Sequence, residues 1–445
     1  MSTKRDLVEA HGFNRRRLVT AFVSGAPGGR EVEPVRYTRT IVGGVVLALL
    51  VVAGAAVSGF LVKPPPKDWD QQSLVIGKDS GSRFYAYQGT LFPVLNITSA
   101  RLLMGADQLN PLTIDEDMIA AADAGPTIGI QGAPEVLPST LVDDGWTACT
   151  NAQGGVRLTL TSTPASTPAT GQGLLVSSKR TQYLLVDRYR YPVARGQEGQ
   201  LVLRRLGFET EPLPVSGLFL SLFEEGAPLG LPEIEGDGTD VDTGVDRLRR
   251  VGTPVEVSGS SYVLGADGTL VATSEFTDEV LQSQRQPVSL ESAEATGLQG
   301  APGETVGDET WPQTVPTAFE QPASPCVRMD LAPDSLPAVS LAVADDPSAV
   351  PTSTDVRASV APGIGAVVRA ISGGVLDSGS VYLVDGSGTA YAVGARGDGA
   401  SLPALGYADV APRPMPQPWL ALLDSGPVLD PQAANDPVTG SGGSS

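Results

Sequence analysis

Histidine, cysteine and aromatic side chains are scarce in this chain of 445 residues. It has one histidine, His11, two cysteines, Cys149 and Cys326, and only 5% aromatic residues. Nucleophilic catalysis of the Ser-His-Asp or Cys-His type needs an imidazole base, and zinc sites are built largely from His and Cys. Because the one imidazole lies near the N-terminus, we expect neither kind of site in the rest of the chain.

Phosphate and calcium motifs are incomplete as well. The stretch IGKDS has the Gly-Lys pair of a phosphate-binding loop, but Asp79 follows the lysine and Gln72 stands where the first glycine belongs. Asp237, Asp240 and Asp242 do not have EF-hand spacing, and a solvated linker is the favoured interpretation. We therefore predict no catalytic, cofactor-binding or metal-binding residue and no cofactor, and the question of enzymatic activity stays open.

Charge is absent from the long apolar run Ile41 to Val62, in which Ser58 is the only polar side chain. A helix of this length spans about 33 Å, enough for a hydrocarbon core of about 30 Å. A cleaved signal peptide is the alternative, but its apolar segment is usually about 7–15 residues long and follows a shorter basic region. The sequence therefore predicts one transmembrane helix at 41–62.

Basic residues precede this run and set its orientation. They are Lys4, Arg5, Arg15, Arg16, Arg17, Arg30, Arg36 and Arg39. Because positive flanks stay in the cytoplasm, residues 63–445 are expected outside the plasma (inner) membrane. We expect a cytoplasmic amphipathic helix and basic linker at 1–40 and a proline-rich spacer at 63–74.

The cytoplasmic segment has two features of its own. Thr3 and Asp6 have the spacing of a capping box at a helix N-terminus. Arg15, Arg16 and Arg17 follow within the same helix and have two compatible interpretations. They dock on a partner or the membrane surface, or they serve only as the topology signal.

Both cysteines lie on the expected outer side. An oxidising compartment favours a disulfide between Cys149 and Cys326, and two free thiols are the alternative. The strand-like runs VRLTLT from Val156 and AVSLAV from Ala338 follow the two cysteines. The simplest arrangement is one sheet built from two distant segments and joined by the disulfide.

Four hairpin-like segments recur beyond the membrane run. They begin at Tyr85, Tyr183, Tyr262 and Tyr382, and each alternates apolar residues into a turn and out again. In the second and fourth, a Leu-Gly pair follows the tyrosine at the same distance and a proline-rich crossing comes after it. Four such units form an internal repeat of small modules that must pack on neighbours.

Net charge and acidic stretches indicate partners and domain boundaries. The net charge of −20 argues against a nucleic acid partner, and acidic low-complexity stretches are typical of linkers. The predicted divisions are repeat 1 at 75–125, the first segment of a central domain at 126–176, repeat 2 at 177–232, an acidic linker at 233–248, a degenerate repeat 3 at 249–286, an acidic linker at 287–318, the second segment of the central domain at 319–374, repeat 4 at 375–432 and a disordered tail at 433–445.

These features together resemble a known family. The resemblance rests on TKRDLVEAHGFNRRRLVTAFVSG, the single span, NITSARLLMG, GPTIGIQGAPEVLP, the two cysteines, APGIGAVVRA and the C-terminal repeat. The chain resembles EccB, a membrane component of the actinobacterial type VII (ESX) secretion systems. The resemblance covers nearly the whole sequence, and the family's disulfide cysteines match Cys149 and Cys326.

The resemblance implies an α+β protein with an N-terminal cytoplasmic helix, one transmembrane helix and an elongated extracytoplasmic region. In that region a β-rich central domain carries four modules similar to cell-wall-binding units of phage lysins. The implied function is a structural component of the secretion core complex. Its implied partners are the EccC ATPase, EccD, EccE and further copies of itself, with possible cell-wall contact.

Two other functions stay open at this stage. A single-pass protein of this kind could bind the cell wall on its own. Members of the family are also sometimes labelled ATPases, although the Walker motif is incomplete in this chain. An FtsK-like ATPase gene beside this one would favour the secretion scaffold.

Overall fold

The computed structural model describes residues 3–24, 37–61, 67, 69–300, 303–319 and 324–438. The chain separates into two units, Met1–Lys67 and Asp68–Ser445. The first is helical and the second is rich in β-structure, so the protein is mixed α and β. Each unit is described by itself.

The first unit begins with helix α1, Lys4–Ser24. Thr3 donates from its backbone nitrogen and its hydroxyl to the Asp6 carboxylate, at 2.9 and 2.7 Å, which is the predicted contact at the N-terminus. Arg15, Arg16 and Arg17 are all exposed on this helix. Leu18 and Phe22 are exposed as well, so α1 presents apolar and basic surface together.

Helix α2 follows at Thr38–Leu61. Among the described residues it is the one helix that is long and apolar enough to cross a membrane, judged by length and composition. It begins three residues before the predicted start because Thr38, Arg39 and Thr40 continue the helix. The predicted apolar span is therefore a continuous helix from Ile41 to Leu61, and its last residue, Val62, lies outside the described residues.

The second unit opens with module 1, at 72–124. Its elements are β1 (Gln72–Gly77), β2 (Arg83–Tyr87), β3 (Thr90–Pro93), α3 (Ile97–Met104), β4 (Leu112–Ile114), α4 (Glu116–Ala121) and β5 (Asp123–Ala124). Strands β1, β2 and β3 form an antiparallel meander, and β4 and β5 add to its two edges in parallel. The predicted first hairpin is β2–β3, with Gln88 and Gly89 at positive φ in the turn.

The chain then enters the central sheet and returns to a second and a third module. The short strand β6 (Thr140–Leu141) comes first, and the first strands of the central sheet are β7 (Trp146–Thr150), β8 (Val156–Leu160) and β9 (Ser166–Pro168). Module 2 contains β10 (Gln172–Ser178), β11 (Thr181–Val186), β12 (Tyr189–Pro192), α5 (Gln197–Arg205), β13 (Leu213–Pro214), α6 (Gly217–Leu220) and β14 (Glu224–Glu225). Module 3 contains β15 (Pro254–Val257), β16 (Ser260–Leu264), β17 (Leu270–Thr273), α7 (Glu275–Gln282), β18 (Val288–Leu290), α8 (Ser292–Ala295) and β19 (Thr305–Val306).

The central sheet is completed only after module 3. After the short strand β20 (Thr317–Ala318), its later strands are β21 (Pro325–Asp330), β22 (Ala338–Ala344) and β23 (Val356–Val360). Module 4 contains β24 (Ile364–Ile371), β25 (Val381–Val384), β26 (Thr389–Ala392), α9 (Leu402–Leu405), β27 (Arg413–Pro416), α10 (Gln417–Leu420), β28 (Asp424–Ser425) and α11 (Pro431–Asn435). All four module sheets share one strand order, a meander with a short parallel strand on each edge.

The central sheet has the order β23-β8-β7-β21-β22-β9, so its middle pair comes from two distant regions of the chain. Two short strands join module sheets from the other region of the chain: β6 pairs with β24 of module 4, and β20 pairs with β10 of module 2. The described strands of the second unit thus fall into two similar halves that differ at the edges of the central sheet, where β23 is parallel to β8 and β9 is antiparallel to β22.

The acidic stretches differ from the linkers that composition suggests. Residues 287–318 supply β18, α8, β19 and β20, so module 3 has the same five strands as the others. In the first stretch, Val241 and Val245 pack against the core of module 3 and Leu248 is fully buried. A few apolar residues at the right places are enough to order an acidic segment on a neighbouring core.

The C-terminal residues differ from the predicted disordered tail in the same way. Asp430 caps α11 by accepting from the Gln432 nitrogen at 2.8 Å, and Ala434 is fully buried. Val438 donates its backbone hydrogen to Thr127 of the segment after module 1, at 2.8 Å. The rest of the predicted tail, 439–445, lies outside the described residues.

Candidate functional site: a stapled central sheet and two module seams

The two cysteines meet in the middle of the central sheet. Cys149 on β7 lies directly opposite Cys326 on β21 in the antiparallel register. The sulfur atoms are 2.04 Å apart, and both residues are fully buried. The predicted disulfide is confirmed, and the alternative of two free thiols is wrong. The strands that follow each cysteine were predicted from the sequence, whereas the paired strands β7 and β21 that carry the cysteines were not.

This disulfide joins the two halves of the second unit between β7 and β21, the middle pair of the central sheet. It links residues 177 positions apart, and modules 2 and 3 lie entirely within the loop that it closes. Both cysteines pack against Ala342 and Ala349 in a small apolar cluster. The disulfide therefore fixes β21, where the chain comes back from module 3, to β7, which precedes module 2.

Modules 2 and 4 share one hydrophobic core with the central sheet. Trp146 of β7 and Trp419 of α10 are both fully buried in it, as is Phe219 of α6. Polar contacts add to the packing, since Arg413 of β27 forms an ion pair with Asp143 at 2.7 Å. Hydrophobic burial on this scale predicts that the central sheet and these two modules behave as one body.

The first seam joins module 1 to module 4. Helix α3 packs against α9 and α11, and Leu102 lies in one buried cluster with Leu405. Arg101 donates from Nη1 to the Leu405 carbonyl oxygen at 3.1 Å. Tyr407 donates its hydroxyl hydrogen to the Pro138 carbonyl at 2.7 Å. Burial raises the pKa of Tyr407 to about 12, against the opposing effect of the Arg101 charge.

The second seam joins module 2 to module 3. Helix α5 packs against α7, and Arg205 forms an ion pair with Glu279 and donates to Gln282 at 2.8 Å. Phe276 of α7 lies edge-on to Trp311, with ring centroids 5.8 Å apart. The contacts of Arg205 join residues more than seventy positions apart, so local sequence patterns do not reveal them.

Residues of the incomplete phosphate and calcium motifs form ion pairs in the structure. Lys78 of the Gly-Lys pair is bound by Asp115, with 2.7 Å between Nζ and Oδ1. Asp237 of the acidic run forms an ion pair with Arg285 of module 3. Within the described ranges, no group of three His, Cys, Asp or Glu side chains is placed to hold a metal ion.

The sequence was also compared with known proteins. Residues 1–437 match the family model described as Type VII secretion system ESX-1, transport TM domain B. The chain is 27% identical over 461 residues to a Mycobacterium tuberculosis protein named ESX-3 secretion system ATPase EccB3, covering 89% of this chain and 83% of that protein. It is 29% identical over 489 residues to ESX-2 secretion system ATPase EccB2 of the same species, covering 97% and 94%.

Solved structures show a similar fold. A structure described as an EccB3 dimer from the ESX-3 core complex has a TM-score of 0.66 at 21% identity, covering 82% of this chain and 100% of that chain. An intact ESX-5 inner membrane complex contains a chain with a TM-score of 0.64 at 20% identity, covering 99% and 96%. At these identities the likeness is one of fold.

Proposed function

Because the chain belongs to the EccB family of type VII (ESX) secretion systems, we propose that it is a structural, membrane-anchored component of such a system. In this role α2 crosses the inner membrane, α1 lies in the cytoplasm, and the second unit builds a scaffold on the outer side. Solved proteins of similar fold are described as belonging to an ESX-5 inner membrane complex and as a dimer. The proposed partners are EccC, EccD, EccE and a second copy of this chain.

The disulfide is the observation that supports this orientation best. It is fully buried in the central sheet and lies on the C-terminal side of α2. Disulfides persist in oxidising compartments such as the bacterial periplasm. The basic residues on the other side of α2 favour the cytoplasm independently, so charge and redox chemistry support the same topology.

A scaffold role is favoured over catalysis by what the polar residues do. Arg101, Arg205 and Glu279 connect modules to each other, and Lys78 is bound by Asp115. The relatives are named ATPases, and the scaffold role proposed for this chain does not require nucleotide hydrolysis.

Extraction in mild detergent followed by native gel electrophoresis tests the proposal. We expect this chain to migrate in a large complex that also contains EccC, EccD and EccE. Recovery of the chain only as a monomer, under conditions that keep EccC and EccD together, would contradict it.

The exposed arginines of α1 allow a sharper test. Replacing Arg15, Arg16 and Arg17 with glutamine leaves five basic residues before Ile41, so insertion is expected to be normal. If the three arginines dock on partners, losing contacts of ~0.5–1 kcal/mol each weakens binding about tenfold or more. We expect the variant to insert normally but to co-purify less EccC.

The matched control removes the same charge elsewhere. Replacing Arg30, Arg36 and Arg39 with glutamine also leaves five basic residues, and none of the replaced ones lies on α1. Protease accessibility of the second unit reports the topology, and co-purification reports docking. Equal co-purification of both variants would show that α1 is not a docking element, and scrambled topology in the first variant alone would assign Arg15, Arg16 and Arg17 to orientation.

A further inference from the structure

The two module seams use equivalent positions of the repeated fold. Helices α3 and α7 both begin after a side-chain cap, since Asn96 accepts from the Ser99 nitrogen and Ser274 from the Thr277 nitrogen. Counted from these caps, Arg101 and Glu279 are each the fifth residue of their helix. The same face of the module therefore carries a cation in module 1 and an anion in module 3.

The partner modules are equivalent in the same sense. Helices α5 and α9 both end at a Leu-Gly pair, with Gly207 and Gly406 at positive φ. Aligned on this pair, Arg205 of module 2 corresponds to Ala404 of module 4. The Arg205–Glu279 ion pair of one seam thus corresponds to Ala404 and Arg101 in the other, where Arg101 binds the Leu405 carbonyl oxygen instead.

The two seams share two pairs of equivalent apolar positions. Leu102 and Val280 are the sixth residues of α3 and α7, and both are buried in their seam. Phe208 and Tyr407 follow the two Leu-Gly pairs and are buried as well. Hydrophobic burial at these shared positions is non-directional and does not by itself select a partner, whereas α11, which packs on α3, has no helical counterpart in module 2.

We propose that Arg101 and Glu279 form a charge code that determines which modules dock. Module 1 on module 2 would place Arg101 against Arg205, two cations. Module 3 on module 4 would place the Glu279 carboxylate against the Leu405 carbonyl oxygen, with no cation at position 404. Both wrong pairings bring like charge or partial charge together, and such repulsion adds specificity that the shared apolar positions do not give.

The surroundings of Arg101 support this assignment. Its Nη1 binds the Leu405 carbonyl oxygen, and its Nε is buried without a hydrogen-bond partner among the described residues. A carboxylate at position 404 would find the unused Nε–H donor of Arg101. A second guanidinium at that position would meet only the positive charge of Arg101. The inference rests on the two seams alone and is independent of the proposed function.

Substitution at position 404 tests the code directly. Ala404→Arg and Ala404→Glu place long side chains of opposite charge at the same point of α9. We expect Ala404→Arg to lower the equilibrium constant for folding about fivefold, equivalent to ~1 kcal/mol, and Ala404→Glu to leave it unchanged or raise it. Urea unfolding of the full chain in detergent, followed by tryptophan fluorescence, gives these constants.

A double-mutant cycle then separates charge from shape. Arg101→Glu with Ala404→Arg copies the Glu279–Arg205 pair into the first seam, so we expect the double variant to recover to within about twofold of the wild type. The coupling must weaken as salt is raised, because the exposed atoms of the pair are screened. A double variant whose loss equals the product of the single losses would overturn the proposal.

The second seam provides an independent cycle if variants at 101 do not fold. Glu279→Arg and Arg205→Glu each place like charges together, and their combination restores an ion pair in reversed order. We expect the combination to be more stable than either single variant by about fivefold. Absence of coupling in this cycle would also overturn the proposal.

Discussion

Removal of the disulfide is the perturbation with the largest expected effect on stability. The double substitution Cys149→Ala and Cys326→Ala deletes the bond without leaving a buried thiol or hydroxyl. The single substitutions Cys149→Ser and Cys326→Ser should behave alike, because each breaks the same bond and both positions are fully buried.

The magnitude follows from the length of the loop. A closure spanning 177 positions corresponds to about 5 kcal/mol in the chain-entropy model, at the upper end of the ~2–5 kcal/mol found when native disulfides are removed. That model treats the loop as flexible in the unfolded state. If modules 2 and 3 stay folded and docked when the central sheet opens, the loop is already partly ordered and the loss is smaller.

Urea unfolding of the full chain in detergent measures this loss, followed by tryptophan fluorescence, to which Trp146 contributes. Trp146 lies on β7, three residues before Cys149, and is fully buried. We expect the double alanine variant to lose at least ~2 kcal/mol of unfolding free energy. A loss below about 1 kcal/mol, with the same cooperativity as wild type, would refute the entropic account.

Two further predictions concern single positions. Gly199→Ala in α5 would place a Cβ on the Ala194 carbonyl oxygen and should cost about 1–3 kcal/mol of unfolding free energy by overpacking. Gly217→Ala, with no neighbouring atom of the described residues within 4 Å, should change stability little. Equal urea midpoints for the two variants would contradict the packing described. Burial raises the pKa of Tyr407 to about 12, so its contribution to stability is complete below about pH 10 and is lost as the pH rises through 12. Tyr407→Phe should flatten the decline of stability measured between about pH 10 and 12. An unchanged slope would argue against this role of Tyr407.

Local patterns carried most of what could be predicted. The span was readable because every residue from Ile41 to Val62 is uncharged, and a helix in lipid must satisfy its own hydrogen bonds. The hairpins were readable because alternation of apolar and polar residues has a period of two. The family resemblance covered nearly the whole chain, and the match over residues 1–437 confirms it.

Short strands were invisible to the same reasoning. Strands β5, β13 and β14 have two residues each, too few for any periodicity, yet they close the edges of their module sheets. The acidic stretches were taken for linkers because their composition is dominated by polar residues. Their order comes from Val241, Leu248 and similar side chains that find a core made by other segments.

The sequence by itself determined the features that depend on neighbouring residues: the apolar helix, the hairpins and the presence of only two cysteines outside it. Tertiary structure alone decided how those features combine. The placement of Cys149 opposite Cys326 depends on two strands 177 positions apart, and the contact of Arg101 with Leu405 joins residues 304 positions apart. Such contacts form because four similar modules must each bury an apolar face, and an apolar face does not by itself state which distant segment will cover it.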